Sequence, residues 1–446
     1  MIDWHAVSRD LARIGQYARP ARLLSVAFPL PRWPGLSLPE NDDWLFWQRP
    51  DRRLRLFGLG RACAATSAGA GRFAALDAAQ RGLAESWLYA ADSAAKPLAF
   101  TGFAFSPSDG YPLPNAALWV PELLLCEKDG ACWATLSCAA NQAGEALARW
   151  RTLWQALQAL QAKPADVAGT PYVPLRNPLA EQAFLSRGRA ALRAIAAAQA
   201  EKFVLTRSQR LRSDAPVAVS ALLAALADRH PACATFGVGH NGTSFIGTSP
   251  ETLLELEGGR VAVDALAGTA WQEAGSPLGT DKNHREHDLV AYDVAAALAT
   301  LCHDVAVPAA PEVMRLNALT HLRRRITARR QPQVSVFDLI GRLHPTPAVG
   351  GTPTAVALDW LERHGDRRGA WYTGGFGWID AAGDCDVAVA LRCGLFEGCE
   401  ATLYAGAGFV AGSDPQQELA ETEAKFSAMR TALAAAYARD DEERAA

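Results

Sequence analysis

The chain has 446 residues, 50% of them hydrophobic and 20% charged, with a formal net charge of −3. That composition builds a sizeable core in a globular protein of roughly two to three domains or one unusually large one, and it leaves no global basic field to recruit nucleic acid or an anionic membrane. Nine cysteines, with no C-x-x-C pair and no histidines at zinc-finger spacing, argue against a disulfide framework and structural zinc; without a signal-peptide core or a membrane-length apolar run, a reduced, cytoplasmic protein is expected.

Residues 1–170 form the first part of the chain, aromatic-rich and irregular in pattern, with strands expected over Asp43–Gln48, Leu54–Gly60, Leu98–Phe105 and Ala116–Leu125. Trp44, Trp47, Trp119 and Trp133 read as sheet-packing residues, and no catalytic constellation is visible. Alanine-rich residues 139–162 predict a helix, and three prolines between Lys163 and Asn177 mark the best boundary. The second part, 171–435, opens with Asn177 and Pro178, a helix start followed by Phe184, Ala191, Leu192 and Ile195 at helical spacing. Lys202 then begins KFVLTR, where alternation places Lys202, Val204 and Thr206 on one strand face. A lysine among apolar strand residues ordinarily points to water at an edge; if buried, desolvation lowers its pKa towards that of a general base.

From Ala234 to Asp264 the pattern is three strands turning at His240–Gly242 and Gly258–Gly259, with Ser249, Pro250 and Glu251 at a strand junction. A carboxyl desolvated there would stay protonated and serve as an acid. Lys282–Cys302 reads as a helix with Asn283, Glu286 and Val290 on one face, and the Arg323–Arg325 run as a helix cap or solvated face. A second meander is expected over Trp371–Gly408, bending at Gly383 and near Gly398, with Arg392 on the same strand face as Ala388 and Ala390. Small neighbours leave room for an anion, and the guanidinium fork suits a carboxylate. The glycine-rich stretch at Gly406 runs into a helix starting at Asp414–Pro415, where Glu418, Glu421 and Lys425 share a face. Alone, Glu421 and Lys425 are an ordinary surface ion pair; joined by Glu286 they offer the hard oxygens that Mg²⁺ takes. Residues 436–446 form a charged tail. Strand clusters separated by helices without regular β-α-β alternation give an α+β fold on antiparallel sheet.

In this order KFVLTR, GTSPETLLEL, LAGT, KNHREH, LTHL, HPTPAVGGTP, DVAVALRCG and AGAGFVAGSDPQQELAETEAK resemble the chorismate-utilising enzymes, the family of anthranilate, aminodeoxychorismate, salicylate and isochorismate synthases, over roughly Ala180 to Met429. The resemblance implies one large α+β domain, two antiparallel sheets packed as a sandwich around a cleft with flanking helices, as in anthranilate synthase component I. It implies Mg²⁺ held directly by Glu286 and Glu421, with Glu418 acting through water. Gly268, Thr269 and Lys425 would meet the ring carboxylate of chorismate; Arg392, Tyr372 and the Gly406 backbone would meet its enolpyruvyl carboxylate; His321 and His344 would line the same cleft. Lys202, absent from members that add ammonia, implies water as nucleophile, with Lys202 as base and Glu251 as acid. The expected activity is isochorismate synthesis, for menaquinone or siderophore formation. A salicylate synthase, which goes on to eliminate pyruvate and resembles this chain less around Ala348, and a non-catalytic chorismate-binding protein are the alternatives. Asn283 stands where the family pattern is usually acidic. A stand-alone enzyme is expected, monomer or weak homodimer, with no glutamine amidotransferase subunit.

Overall fold

The computed structural model describes residues 2–17, 23–34, 43–89, 96–161, 170–271, 278, 280–316 and 319–445. Residues 163–169 of the expected boundary lie outside them. The described chain forms a 13-stranded and a 10-stranded sheet with helices. Pairing is antiparallel apart from Leu23–Leu30 beside Trp87–Tyr89. Helices Val219–Arg229 and Pro415–Ala445 share a buried cluster with the larger sheet; Asp281–Ala299 and Val336–Leu343 share one with the smaller. Between the sheets lies an aromatic layer: Trp47 and Phe236 of the larger sheet stand 6.3 and 5.7 Å from Phe376 of the smaller. Trp44, Trp47 and Trp119 are buried in these layers, whereas Trp133 is half-buried. Among the described residues no helix is long and apolar enough to cross a membrane.

Both halves of the chain supply both sheets. Trp44–Arg49 pairs with Ala234–His240 in one, and Leu98–Phe103 pairs with Gly375–Asp380 in the other.

Three apparently continuous stretches cross from sheet to sheet. The expected strand 116–125 is two, Ala116–Val120 in the smaller sheet and Leu123–Lys128 in the larger, divided at Pro121–Glu122. The Ala234–Asp264 array changes sheet between Thr243–Ser249 and Thr252–Glu257, and the expected Trp371–Gly408 meander does so between Cys385–Val389 and Cys393–Glu397. Arg392 is therefore not on a strand face with Ala388 and Ala390; it occupies the crossing itself, with φ 45°. These last two crossings are bonded to each other, Val389 N donating to Glu251 O at 3.0 Å and Thr248 N to Arg392 O at 3.2 Å.

Two further expectations shift. The helix predicted over Lys282–Cys302 runs Asp281–Ala299, capped by the Thr280 side chain, and Cys302 opens the strand Cys302–Ala306. Arg323–Arg325 neither caps a helix nor is simply solvated: it lies within the strand Leu319–Arg330, paired respectively with Glu312, with Asp288, and with Asp264 and Glu255.

Candidate active site

One cavity lies where the paired crossings, the strand carrying Lys202 and the two acidic helices converge. Lys202–Arg212 pairs along its length with Glu400–Val410, and Gly351–Thr352 covers its other side at Lys202 and Phe203. Lys202 is therefore not an exposed edge residue; it is 1% exposed, and its Nζ stands 3.0 Å from Glu286 Oε1. Gly408 makes room for the pair: a Cβ there would lie 2.6 Å from Glu286 Oε1 and 3.1 Å from Lys202 Cε. Sequence reading did not single out this glycine, whose need arises only from a helix approaching across the strand.

The crossings bring in Glu251 and Arg392. Burial, then Asp264, push the Glu251 carboxyl up to about 8, while Lys202 and Lys425 pull it the other way. It is therefore held protonated at neutral pH, available as an acid. Its Oε1 has no hydrogen-bond partner among the described residues. Arg392 is buried, which disfavours its charge. Among the described residues it has no ion pair, and its Nη2 meets His321 Nε2 at 3.3 Å. A buried guanidinium without a carboxylate is an anion site.

The LAGT segment, Leu266–Thr269, forms a bulge within the strand Arg260–Trp271, with Gly268 at φ 75°. A Cβ on Gly268 would stand 2.9 Å from Asn283 O, so strand and helix can meet this closely only at a glycine. The bulge aims Thr269 inward, its Oγ1 3.2 Å from both His321 Nδ1 and Glu421 Oε1. Burial, Arg392 and Lys425 hold His321 neutral. One proton assignment satisfies all three contacts: His321 Nδ1–H donates to the Thr269 oxygen, the Thr269 hydroxyl donates to Glu421, and bare Nε2 accepts from Arg392. Lys425 Nζ reaches Glu421 Oε1 and Gly406 O, both at 2.7 Å. The pair that reads as a surface ion pair is thus half-buried in the cavity wall.

Glu286, Glu418 and Glu421 are each held by a lysine, Glu418 by Lys282 at 2.8 Å. Among the described residues no group of three or more His, Cys, Asp or Glu side chains is gathered in metal-holding geometry. The donor chemistry nevertheless fits a hard divalent cation. Three carboxylates on two facing helices repel one another, and burial with Glu421 and, more weakly, Glu286 pushes Glu418 up to about 7 against the pull of Lys282. Glu286 and Glu421 line the cavity; Glu418, 3% exposed, does not.

Gly268, Thr269, His321, Tyr372, Arg392, Gly406 and Lys425 all line the cavity with Lys202 and Glu251. Tyr372 is stacked on Tyr404 at 5.3 Å. His344 is not among the lining residues. Its ring packs edge-on against Phe73, Phe103 and Phe105, its Nε2 meets Phe105 O at 3.2 Å, and burial pushes it down to about 3. It is a core histidine. Asn283 turns its amide to Leu278 O rather than to the carboxylates. Sequence reading missed Arg368, buried over the Phe105 ring at 3.6 Å, which bonds Val204 O, Val349 O and Thr373 Oγ1. It clamps three lengths of cavity wall together.

Residues 16–434 match the family model described as chorismate binding enzyme. The isochorismate synthase MenF of Bacillus subtilis is 35% identical over 244 residues, 53% of this chain and 52% of that protein. A putative isochorismate synthase MenF of Mycobacterium tuberculosis is 38% identical over 252 residues, 52% of this chain and 67% of that protein. The sequence match thus spans about half the length of the Bacillus relative. The solved structure of MenF, the menaquinone-specific isochorismate synthase of Escherichia coli, superposes with a TM-score of 0.77 at 26% identity, covering 96% of this chain and all of that one. With the family model spanning nearly its whole length, the chain belongs to the chorismate-binding enzymes.

Proposed function

We propose that the protein is an isochorismate synthase, converting chorismate to isochorismate by attack of water at C2 and loss of the C4 hydroxyl. The observation that carries this reading is that a buried lysine, Lys202, and a carboxyl kept protonated, Glu251, face one cavity beside a buried arginine with no carboxylate partner among the described residues. A proton-in, proton-out isomerisation needs one group to take a proton and another to give one, and Lys202 and Glu251 face the same cavity. The family membership and the isochorismate synthases among the relatives support it.

In this mechanism Arg392 takes the enolpyruvyl carboxylate, with Tyr372 and the Gly406 backbone beside it. Lys425, Gly268 and Thr269 meet the ring carboxylate. Lys202, after passing its ammonium proton to solvent, takes a proton from water while the water oxygen bonds to C2. The ring double bonds shift, the C4–O bond breaks, and Glu251 gives its proton to the departing hydroxyl. One water enters and one leaves, and the net transfer of a proton from Glu251 to Lys202 is reversed through solvent. Mg²⁺ fits Glu286 and Glu421, with Glu418 through water, and would supply positive charge for the ring carboxylate and for the carboxylates themselves. The isochorismate would enter menaquinone or siderophore formation.

Incubation with chorismate and Mg²⁺ followed by product chromatography tests this. Isochorismate without pyruvate is expected. Salicylate with equimolar pyruvate would replace the reading by a lyase, and unchanged chorismate by a binding protein.

A further inference from the structure

Building on the reading of Glu251 as the acid, we propose that Asp264 is its positioning residue, fixing the backbone that carries Glu251 and tying it to an ionic cluster outside the cavity. Thr252 N, the amide directly after Glu251, donates to Asp264 Oδ2 at 3.1 Å. No strand neighbour does this. The ladder between Thr252–Glu257 and Arg260–Trp271 extends only from Glu257 to Glu255, and pairing with Cys385–Val389 slips between Thr252 and Leu254. The Asp264 carboxylate therefore stands in for a missing ladder bond where the chain changes sheet. On the other side, Glu251 N meets Ser249 Oγ at 3.3 Å and Val389 N donates to Glu251 O. With no partner for Oε1 among the described residues, the pose of the acid is set by this backbone frame.

Asp264 is 2% exposed and held by Arg325 Nη1 at 3.3 Å. Arg325 also grips Glu255, which pairs with Arg52, and Arg52 and Arg49 both reach buried Asp386. Among the described residues the charges that bear on Glu251 are Asp264, Lys202 and Lys425, while Glu286, Glu421 and Arg392 line the same cavity. Of the three that bear on it, Asp264 alone favours the protonated acid, and Arg325 moderates how strongly it does so.

Asp264→Asn keeps an oxygen for the Thr252 amide and removes the charge. The alkaline limb of kcat/KM should then move to lower pH by roughly one unit. Arg325→Gln, which leaves Asp264 less neutralised, should move it upward. The same displacements should appear without turnover, in the pH titration of the carboxyl infrared band that Glu251→Gln removes. Opposite shifts in the two variants support the proposal, whereas lower activity with an unmoved limb and an unmoved band would leave Asp264 a purely structural residue and overturn it. If Asp264→Asn does not fold, the Arg325→Gln titration decides alone. A wild-type protein that forms no isochorismate would sink the functional reading, and the infrared titration would still judge Asp264.

Discussion

In the proposed mechanism Lys202 and Glu251 divide the chemistry between a base and an acid, and each role can be tested separately. On that proposal, removing Lys202 takes away the group that would activate water but leaves Arg392 and Lys425, which would hold the carboxylates. Lys202→Ala should lose at least about 100-fold in kcat, while its chorismate affinity by calorimetry stays within about tenfold; normal turnover would remove Lys202 from the base role. As the proposed acid, Glu251 would act only when protonated, and burial pushes it up to about 8. Turnover should therefore be insensitive to Glu251 below that pH and fall as pH rises through about 8, and Glu251→Gln should lose the activity at every pH. A limb near 4 instead would mean that burial does not govern this carboxyl. At this scale the sequence was legible where chemistry restricts the residue type. Lys202 stood out because a lysine inside an apolar strand demands an explanation, and KNHREH and ELAETEAK displayed their acids openly. His344 misled because a histidine that packs against three aromatic rings reads no differently in sequence from one that meets a ligand. Lys282 and Arg368 were invisible for the converse reason: their partners, Glu418 and Val204, lie far along the chain.

Among the elements, the decisive features are the two crossings that bond to one another and the glycines that let helices close on strands. Hydrophobic alternation marks strands but is the same on either side of a change of sheet, so the junction at Ser249–Glu251 gave no sign that the chain changes sheet there, and Ala388–Arg392 read as one strand. Arg392, at φ 45°, shows the cost of that blindness: period-two reasoning put it on a strand face, whereas it occupies the crossing between sheets. The strand Glu400–Val410 carries a more specific requirement at Gly408. An added methyl would meet Glu286 Oε1 at 2.6 Å and Lys202 Cε at 3.1 Å, inside normal contact. The Gly408 backbone is ordinary strand, so alanine itself fits and the insult falls on the Lys202–Glu286 pair. Gly408→Ala should cost about 10- to 100-fold in kcat, because displacement by about an ångström is enough to spoil alignment. Its thermal midpoint should change by only a few degrees. A large fall in the midpoint with kcat preserved in the folded fraction would show that the glycine serves packing instead.

For the whole molecule, the antiparallel α+β architecture was accessible from the absence of β-α-β alternation, and the sandwich from family resemblance. The interleaving was not, because strand pairing between residues nearly two hundred or more positions apart leaves no mark in local pattern. Its consequence concerns autonomy. Nearly every motif lies after residue 171, which invites treating that part as a separable catalytic unit. Yet Ala234–His240 needs Trp44–Arg49 on one side, and Gly375–Asp380 needs Leu98–Phe103. Cutting the chain near residue 170 would bare both strand edges and open the aromatic layer around Trp47, Phe100, Phe236 and Phe376. Unpaired edges beside exposed aromatic surface drive association. A fragment spanning 171–446 should therefore aggregate or lack the near-ultraviolet circular dichroism of packed aromatics, and should not bind chorismate. Co-expression with residues 1–170 should restore a 1:1 complex with a native-like spectrum. A monomeric 171–446 fragment with intact chorismate binding would show instead that the cavity's frame is complete without the first six strands of the larger sheet.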